Sequence, residues 1–269
     1  MTFLDDLLAD SRARVVAAQS QESTAALRER ALAMPMPPSF HAALGAPGVS
    51  VIAEVKRASP SKGDLAPGLD AVAQGRAYVA AGVAAISVLT EPARFKGSLD
   101  DLAAVAALGT PTLRKDFTVD AHQIWEARAN RASAVLLIVA ALDDDTLAGL
   151  HDEATVAGLD AVVEVHDEAE LARAAAIGAR IIGVNARDLR TFDVDRSCFA
   201  RLRPAFPPGA LAIAESGVRG PDDVVRAAAA GADAVLVGEA LVTASDPTAA
   251  AAALVAAGRT LTTTSEVRQ

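Results

Sequence analysis

Lysine is scarce in this chain and arginine is common: Lys and Arg together number 25, and the lysines among them are Lys56, Lys62, Lys96 and Lys115. Arginine stays charged in any protein setting, whereas a lysine ammonium can exchange its proton when desolvated, so a retained lysine is a candidate for proton chemistry. Lys56 and Lys115 each follow an apolar run, residues 51–55 and 112–114, whereas Lys62 and Lys96 fall in loops where an ordinary surface role serves as well. Glu54, Glu164 and Glu215 interrupt or close apolar runs, and Asn185 and Arg187 follow another. A carboxylate inside an apolar strand is costly unless a cation or hydrogen-bond donor meets it, so these glutamates need partners, for which Lys56, Lys115 and Arg187 are available. Alternation along a strand puts Glu54 with Lys56, and Glu164 with His166, on shared faces. Acids and bases collected in this way suit proton transfer; a structural layer of ion pairs is the alternative. His166 by itself reads as a hydrogen-bonded packing residue, and Asn185 as a turn former or, given its place on the rim, a hydrogen-bond partner for a substrate.

Elements that could gather these residues recur from position 50 onward. Short apolar runs at 51–55, 84–89, 112–114, 134–139, 161–165, 180–184, 211–214 and 234–237 alternate with alanine-rich helical stretches at 69–81, 98–107, 120–130, 143–157, 167–177, 195–203 and 220–230. Several helices start after Asp, Ser or Pro and stop at Gly82, Gly158, Gly178 or Gly231, as capping requires. Eight strand–helix units imply an α/β protein with a parallel sheet covered by helices, and the count of eight favours a (β/α)8 TIM barrel over an open sheet. In such a barrel the chemistry sits at the carboxyl ends of the strands, the rim where every residue named above falls. Residues 1–45 read as an N-terminal helical extension, with helices near 2–19 and 22–33 ended by Pro35, Pro37 and Pro38. One barrel domain is thus expected over 1–257, with a last helix at 246–257 and a disordered polar tail at 258–269.

The seventh and eighth units end in Glu215-Ser216-Gly217 and Val237-Gly238-Glu239. Glycines here let backbone N–H groups approach an anion, so Gly217, Gly238 and Glu239 are expected to hold a phosphate, unless the glycines serve only tight turns. The loop after the first strand, residues 57–68, is longer than the usual 2–6 residues of such connections and suits a lid carrying Lys62.

A formal net charge of -9 argues against a nucleic-acid or anionic-membrane surface, which needs a basic face. Cys198 is the single cysteine, so no intrachain disulfide can form, and neither a signal peptide nor a membrane span is apparent; a cytoplasmic protein is expected. No metal-ligand spacing or nucleotide-binding glycine motif occurs, so neither a metal nor a cofactor is expected. With 52% hydrophobic but 3% aromatic residues, the core must be aliphatic.

Six stretches together carry a resemblance: Glu54-Val-Lys-Arg-Ala-Ser-Pro-Ser-Lys-Gly63; Ser87-Val-Leu-Thr-Glu91 with Phe95 and Gly97-Ser98; Leu113-Arg-Lys-Asp-Phe117; Val163-Glu-Val-His166; Gly183-Val-Asn-Ala-Arg-Asp-Leu189; and Ala214-Glu-Ser-Gly217. In this order they resemble the indole-3-glycerol-phosphate synthase family of tryptophan biosynthesis, over the chain up to about residue 257. The resemblance implies a carboxy-lyase that closes the indole ring of 1-(2-carboxyphenylamino)-1-deoxyribulose 5-phosphate with loss of carbon dioxide and water. It implies Lys115 as general acid, Glu164 with Glu54 and Lys56 in the dehydration, and Asn185 and Glu215 on the sugar hydroxyls. It further implies Arg187, with Ser59 and Lys56, at the substrate carboxylate, Ser216 beside the phosphate turn, and Phe95, Phe117, Leu137, Leu189 and Leu236 around the aromatic ring. The implied partners are a phosphorylated small molecule and other enzymes of the tryptophan pathway, with the chain a monomer or weak homodimer. Glu239 departs from the serine of some members, which a backbone-held phosphate tolerates.

Rival functions are a phosphoribosylanthranilate isomerase, which wants a cysteine after strand one and an aspartate after strand six, a Schiff-base aldolase using Lys115, and a non-catalytic phosphate-binding module. Borohydride reduction in the presence of a carbonyl substrate is expected to leave the protein unmodified; an adduct on Lys115 would favour the aldolase.

Overall fold

Each of the eight apolar runs forms a strand. In a computed structural model that describes residues 3–188 and 192–266, they are β1 (Ser50–Val55), β2 (Ala85–Leu89), β3 (Thr112–Lys115), β4 (Ala134–Ile138), β5 (Asp160–Val165), β6 (Ile181–Asn185), β7 (Leu211–Glu215) and β8 (Ala234–Val237). All neighbours are parallel, and β1 pairs with both β2 and β8, so the sheet closes into a (β/α)8 barrel. Closure leaves no unpaired edge, and each strand can therefore be buried on both faces.

The covering helices begin where side chains accept their free N–H groups. Asp70 caps α4 (Ala71–Ala81), Ser98 caps α5 (Leu99–Ala106), Asp120 caps α6 (Ala121–Ala129), Asp143 caps α7 (Asp144–Val156) and Asp167 caps α8 (Glu168–Ala176). Gly82 ends α4 with φ 79°, a left-handed turn that a side chain would strain. The predicted helix at 195–203 is shorter than expected, α9 spanning Cys198–Leu202, and α10 is Pro221–Ala229.

Strand alternation divides the apolar residues into two layers. Val51, Ala53, Val55, Val88, Leu137 and Val163 pack outward against helices, while Ile52, Leu113, Leu136, Val162, Ile213 and Leu236 fill the barrel. Both ends of that inner layer are closed by the N-terminal extension. Of its helices α1 (Phe3–Gln21), α2 (Thr24–Leu32) and α3 (Phe40–Leu44), the last was not apparent in the sequence. Phe40 and Leu44 of α3 are fully buried in the inner layer, and α3 is tied to the strand starts through Ser50 Oγ and Asp160, the latter accepting from the His41 N–H at 2.9 Å. Leu4, Leu7 and Leu8 of α1 join the same layer from the carboxyl rim.

At the chain end the structure corrects the sequence reading. Helix α12 runs Pro247–Glu266, past the end expected for the last helix at 257. Gly258 does not stop it; its bare Cα lets the helix press on the Val49 carbonyl, which a side chain would strike. The lid segment 57–68 also carries structure that went unforeseen, a two-stranded ribbon of Ala58–Ser59 and Gly63–Asp64. Helix α11 (Glu239–Val242) follows β8 as a single turn.

A buried charge cluster fastens α1 to the end of β3. Arg14 grips Asp116 through Nη1 and Nη2 at 3.1 and 2.8 Å, Arg114 Nη2 donates to Asp116 at 3.2 Å, and Thr90 Oγ1 donates at 2.6 Å. Ser11 Oγ donates to the Phe117 carbonyl at 2.6 Å. Burial opposes the Asp116 charge, but Arg114 and Arg14 outweigh it and hold the carboxyl well below the usual aspartate range. A folded-state value below the unfolded one contributes stability above the unfolded pKa of 3.8, lost as pH falls further. Asp116→Asn is expected to lower unfolding stability by about 3 kcal/mol near neutral pH, because two guanidinium groups lose their partner. In urea titrations the gap from the parent should narrow as pH drops below about 4; a gap independent of pH would contradict the charge origin.

Candidate active site

The strand ends raise Glu54, Lys115, Glu164, Asn185 and Glu215 to one rim, and register sets who meets whom. Asn185 of β6 stands beside Glu215 of β7, and Leu236 of β8 stands on the other side of Glu215. Gly183, two residues before Asn185 on the same face, leaves an opening into which the Glu215 carboxylate fits; any side chain at 183 would run into Glu215 Oε1. Glu54 of β1 pairs in register with Ser87 of β2, whose Oγ donates to it at 3.3 Å.

Lys115 lies at the centre. Its Nζ donates to Glu164 Oε2 at 2.8 Å and to Glu215 Oε2 at 3.2 Å. Asn185 Nδ2 donates to Glu164 Oε1 at 3.1 Å, and the Asn185 amide is itself oriented, Oδ1 accepting from Ser216 Oγ at 2.8 Å and from the Arg187 N–H at 3.0 Å. Glu54 Oε1 pairs with Lys56 Nζ at 2.8 Å. Arg187 meets none of the glutamates; its Nη1 donates to the Phe192 carbonyl at 3.0 Å.

Burial and charge act in opposite directions on this cluster. Burial alone would push the Lys115 ammonium toward neutrality, but Glu164, Glu215 and Glu54 outweigh it and raise its pKa above the ordinary lysine value. Lys115 is thus a charged donor in the free protein, not a neutral amine. Burial favours protonation of Glu164, and the Lys115 charge overcomes it, so Glu164 is held below the usual range. Burial dominates at Glu215, and with Glu164 repelling it the carboxyl is pushed up to about 7. Its Oε1 is buried in the niche left by Gly183, without a hydrogen-bond partner among the described residues.

These groups line a cavity of about 720 Å³ together with Gly217, Gly238, Glu239, Arg187, Ser59, Phe95, Phe117, Ser216 and Leu236. Ser216 and Gly217 both have positive φ, 65° and 83°, turning the chain sharply after β7. Gly238 leads into α11, and a Cβ there would crowd Glu54 and come within 2.9 Å of Lys56 Nζ. Lys56 therefore stands next to the glycine turn expected to hold phosphate. Lys62 of the loop after β1 lies 3.7 Å from the Glu239 carboxylate across the same mouth.

One expected wall residue is misplaced. Leu137 is fully buried in the outer layer against the helices, because alternation in β4 turns Leu136 and Ile138 inward, with Ile138 beside Glu164. Leu189 lies outside the described residues. Missed from the sequence were Phe3 and Leu7 of α1, which wall the cavity, and Phe192, on which Phe3 stacks edge-on with centroids 5.1 Å apart. The apolar stripe that announced α1 carried the signal for Phe3 and Leu7, but no local pattern said where that stripe would dock. Among the described residues no group of His, Cys, Asp and Glu could hold a metal ion.

Comparison with known proteins places this geometry. A family model described as Indole-3-glycerol phosphate synthase matches residues 4–254. A relative of that name from Parafrankia sp. (strain EAN1pec) is 54% identical over 259 residues, covering 96% of this chain and 97% of its own. Another, from Mycobacterium bovis (strain BCG / Pasteur 1173P2), is 53% identical over 258 residues, covering 96% and 95%. Among solved structures, thiamine phosphate pyrophosphorylase from Pyrococcus furiosus superposes with a TM-score of 0.60 at 15% identity, over 83% of this chain and 99% of its own. The 3-hexulose-6-phosphate synthase from Salmonella typhimurium gives 0.61 at 18% identity, over 78% and 98%. At those identities the structural likeness speaks to the fold alone.

Gly183→Ala is expected to leave the barrel folded, by circular dichroism and melting, while displacing Glu215 and lowering turnover by up to about 100-fold, the effect of roughly 1 Å of misplacement. Full activity in the folded variant would show that the Glu215 position is unimportant.

Proposed function

The chain belongs to the indole-3-glycerol phosphate synthase family, the decarboxylating lyases of tryptophan biosynthesis, and from that premise we propose how its own side chains close the indole ring. The substrate of this activity is a phosphorylated small molecule, 1-(2-carboxyphenylamino)-1-deoxyribulose 5-phosphate, and the products are indole-3-glycerol phosphate, carbon dioxide and water.

One observation carries the assignment of roles: the Lys115 ammonium is held between Glu164 and Glu215 at the end of β3, in the same cavity as the Gly217 and Gly238 turns. As the aryl carbon attacks the ketone, negative charge grows on the ketone oxygen, and a charged lysine donor supplies the proton it needs. A raised pKa suits this role and opposes Schiff-base chemistry, which begins from a neutral amine. Loss of carbon dioxide then restores the aromatic ring, and the new hydroxyl must leave as water. Glu164, on the Lys115 Nζ, acts in that dehydration, with the Glu54–Lys56 pair as the second acid–base couple.

Asn185 and Glu215 hold the sugar hydroxyls and orient Lys115, to which Glu215 Oε2 is bonded directly and Asn185 through Glu164. The N–H groups of Gly217, Gly238 and Glu239 cradle the phosphate, with Lys56 adding charge beside Gly238 and Ser216 flanking the turn. Arg187, with Ser59, faces the carboxylate that departs as carbon dioxide. Phe95, Phe117, Leu236, Leu136 and Ile138 wall the aromatic ring, the last two in place of Leu137. No described helix is long and apolar enough to cross a membrane, which fits the cytoplasmic setting of such a pathway.

Lys115→Ala is expected to cut indole formation, followed by fluorescence with purified protein, by at least about 100-fold, the usual worth of a general acid. Near-parental turnover in a folded variant would remove Lys115 from this role.

A further inference from the structure

Ring closure by this chain consumes a proton in every cycle. A substrate carboxylate leaves as neutral carbon dioxide and a hydroxyl leaves as water, so charge balances only if one proton enters from solvent per turnover. The groups that use it are sealed: the Glu164 and Glu215 side chains are 1% and 2% exposed, and a bound substrate fills the cavity in front of them.

His166 offers a route from behind. It follows Glu164 by two positions and ends on the same face of β5, with its Nε2 3.8 Å from Glu164 Oε1. It does not wall the cavity, and its side chain keeps 17% of its surface exposed, at atoms other than Nε2. The ring is held in one orientation. Glu170 Oε2, in the first turn of α8, accepts from the His166 backbone N–H at 2.8 Å and lies 3.0 Å from Nδ1. A carboxylate only accepts, so Nδ1 carries a proton and Nε2 is the nitrogen that gains or gives one. That Nε2 is buried and has no hydrogen-bond partner among the described residues. On the remaining sides His166 meets Glu215 of β7 through its charge, and its carbonyl accepts from Cys198 Sγ of α9 at 3.2 Å.

We propose that His166 is the entry point of the consumed proton, passing it from Nε2 to Glu164 Oε1. This rests on the activity assigned above. His166 touches no reacting atom and acts through Glu164. In the transfer the Nε2–H bond breaks and an O–H bond forms on Glu164, leaving a neutral imidazole; Nε2, buried in the resting arrangement, takes a new proton from water once the ring swings away from Glu164, and Glu170 stabilises the imidazolium between transfers. The step needs the ring and carboxylate to close by about 1 Å, from 3.8 Å to hydrogen-bond distance. Burial disfavours the charged ring, but Glu170 and Glu164 outweigh it and raise the His166 pKa above the ordinary histidine value.

His166→Asn tests this directly. Expected at about pH 8 in a buffer without imidazole is a fall in kcat of roughly tenfold or more with little change in KM. Added imidazole should restore turnover in proportion to its protonated form and leave the parent unaffected. Unchanged kcat, or a loss that imidazole does not relieve, would overturn the proposal. Glu170→Gln, which keeps the histidine, guards against a folding defect: losing the carboxylate lowers the His166 pKa, so the alkaline limb of kcat should move to lower pH by about 1 unit. A limb that stays in place would equally overturn it. The parent enzyme separates the two levels, since absence of turnover there removes the assigned activity and this proposal together, whereas parental turnover with unaltered variants removes the proposal alone.

Discussion

Two carboxylates sealed from water share a single ammonium, and this imbalance sets the chemistry of the rim. Glu164 and Glu215 both touch Lys115 Nζ, at 2.8 and 3.2 Å, and both are buried. In a medium of low polarity two neighbouring anions repel strongly, and one cation cannot offset both. The carboxyl with the shorter bond and the additional Asn185 donor stays ionised, while the other rises to about 7. An ionised carboxylate, a charged lysine and a carboxyl that titrates near neutrality then stand within one hydrogen-bond network. Environments that separate the proton affinities of like groups are how one site runs both acid and base steps.

The barrel exists in a form that tolerates this cluster because space and order were arranged around it. Gly183 leaves the opening that Glu215 occupies, and Gly238 leaves another beside Glu54 and Lys56. Asn185 is held by Ser216 and the Arg187 N–H before it reaches Glu164, so a second set of contacts fixes the orientation of the first. Immediately after Lys115, Asp116 is gripped by Arg14, so the N-terminal helix bears on the residue next to the central lysine. The same helix delivers Phe3 and Leu7 to the cavity wall, which makes the extension part of the site and not an attachment to it.

The long loop after β1 is ordered by charge as well. Arg57 pairs with Asp101 of α5 through both Nη atoms and donates to the Lys96 carbonyl at 3.1 Å, while Lys96 Nζ meets Asp64 Oδ1 at 2.5 Å. The Lys96–Asp64 pair is about half exposed and so individually weak, whereas the two-pronged Arg57–Asp101 pair is more buried. The loop brings Lys62 to 3.7 Å from the Glu239 carboxylate.

Periodicity alone disclosed the eight strands, the helices between them and the rim on which Glu54, Lys115, Glu164, Asn185 and Glu215 gather, because strand parity and capping are local rules that a linear chain displays. It also misjudged what depends on one residue of register or on distant packing. Leu137 was expected at the ring and faces the helices, since a run of five apolar residues does not reveal which parity points inward. The last helix was expected to end at 257, yet α12 continues to Glu266, with Gly258 inside it packed on the Val49 carbonyl from far earlier in the chain. His166 looked like packing, and only the placement of Glu170 and Glu164 around its two nitrogens gave it a possible task. Composition and spacing thus determined which groups stand on the rim. Their distances, the shared ammonium and the resulting proton affinities were decided by tertiary structure, since burial and Coulomb interaction depend on separations in space that sequence order does not contain.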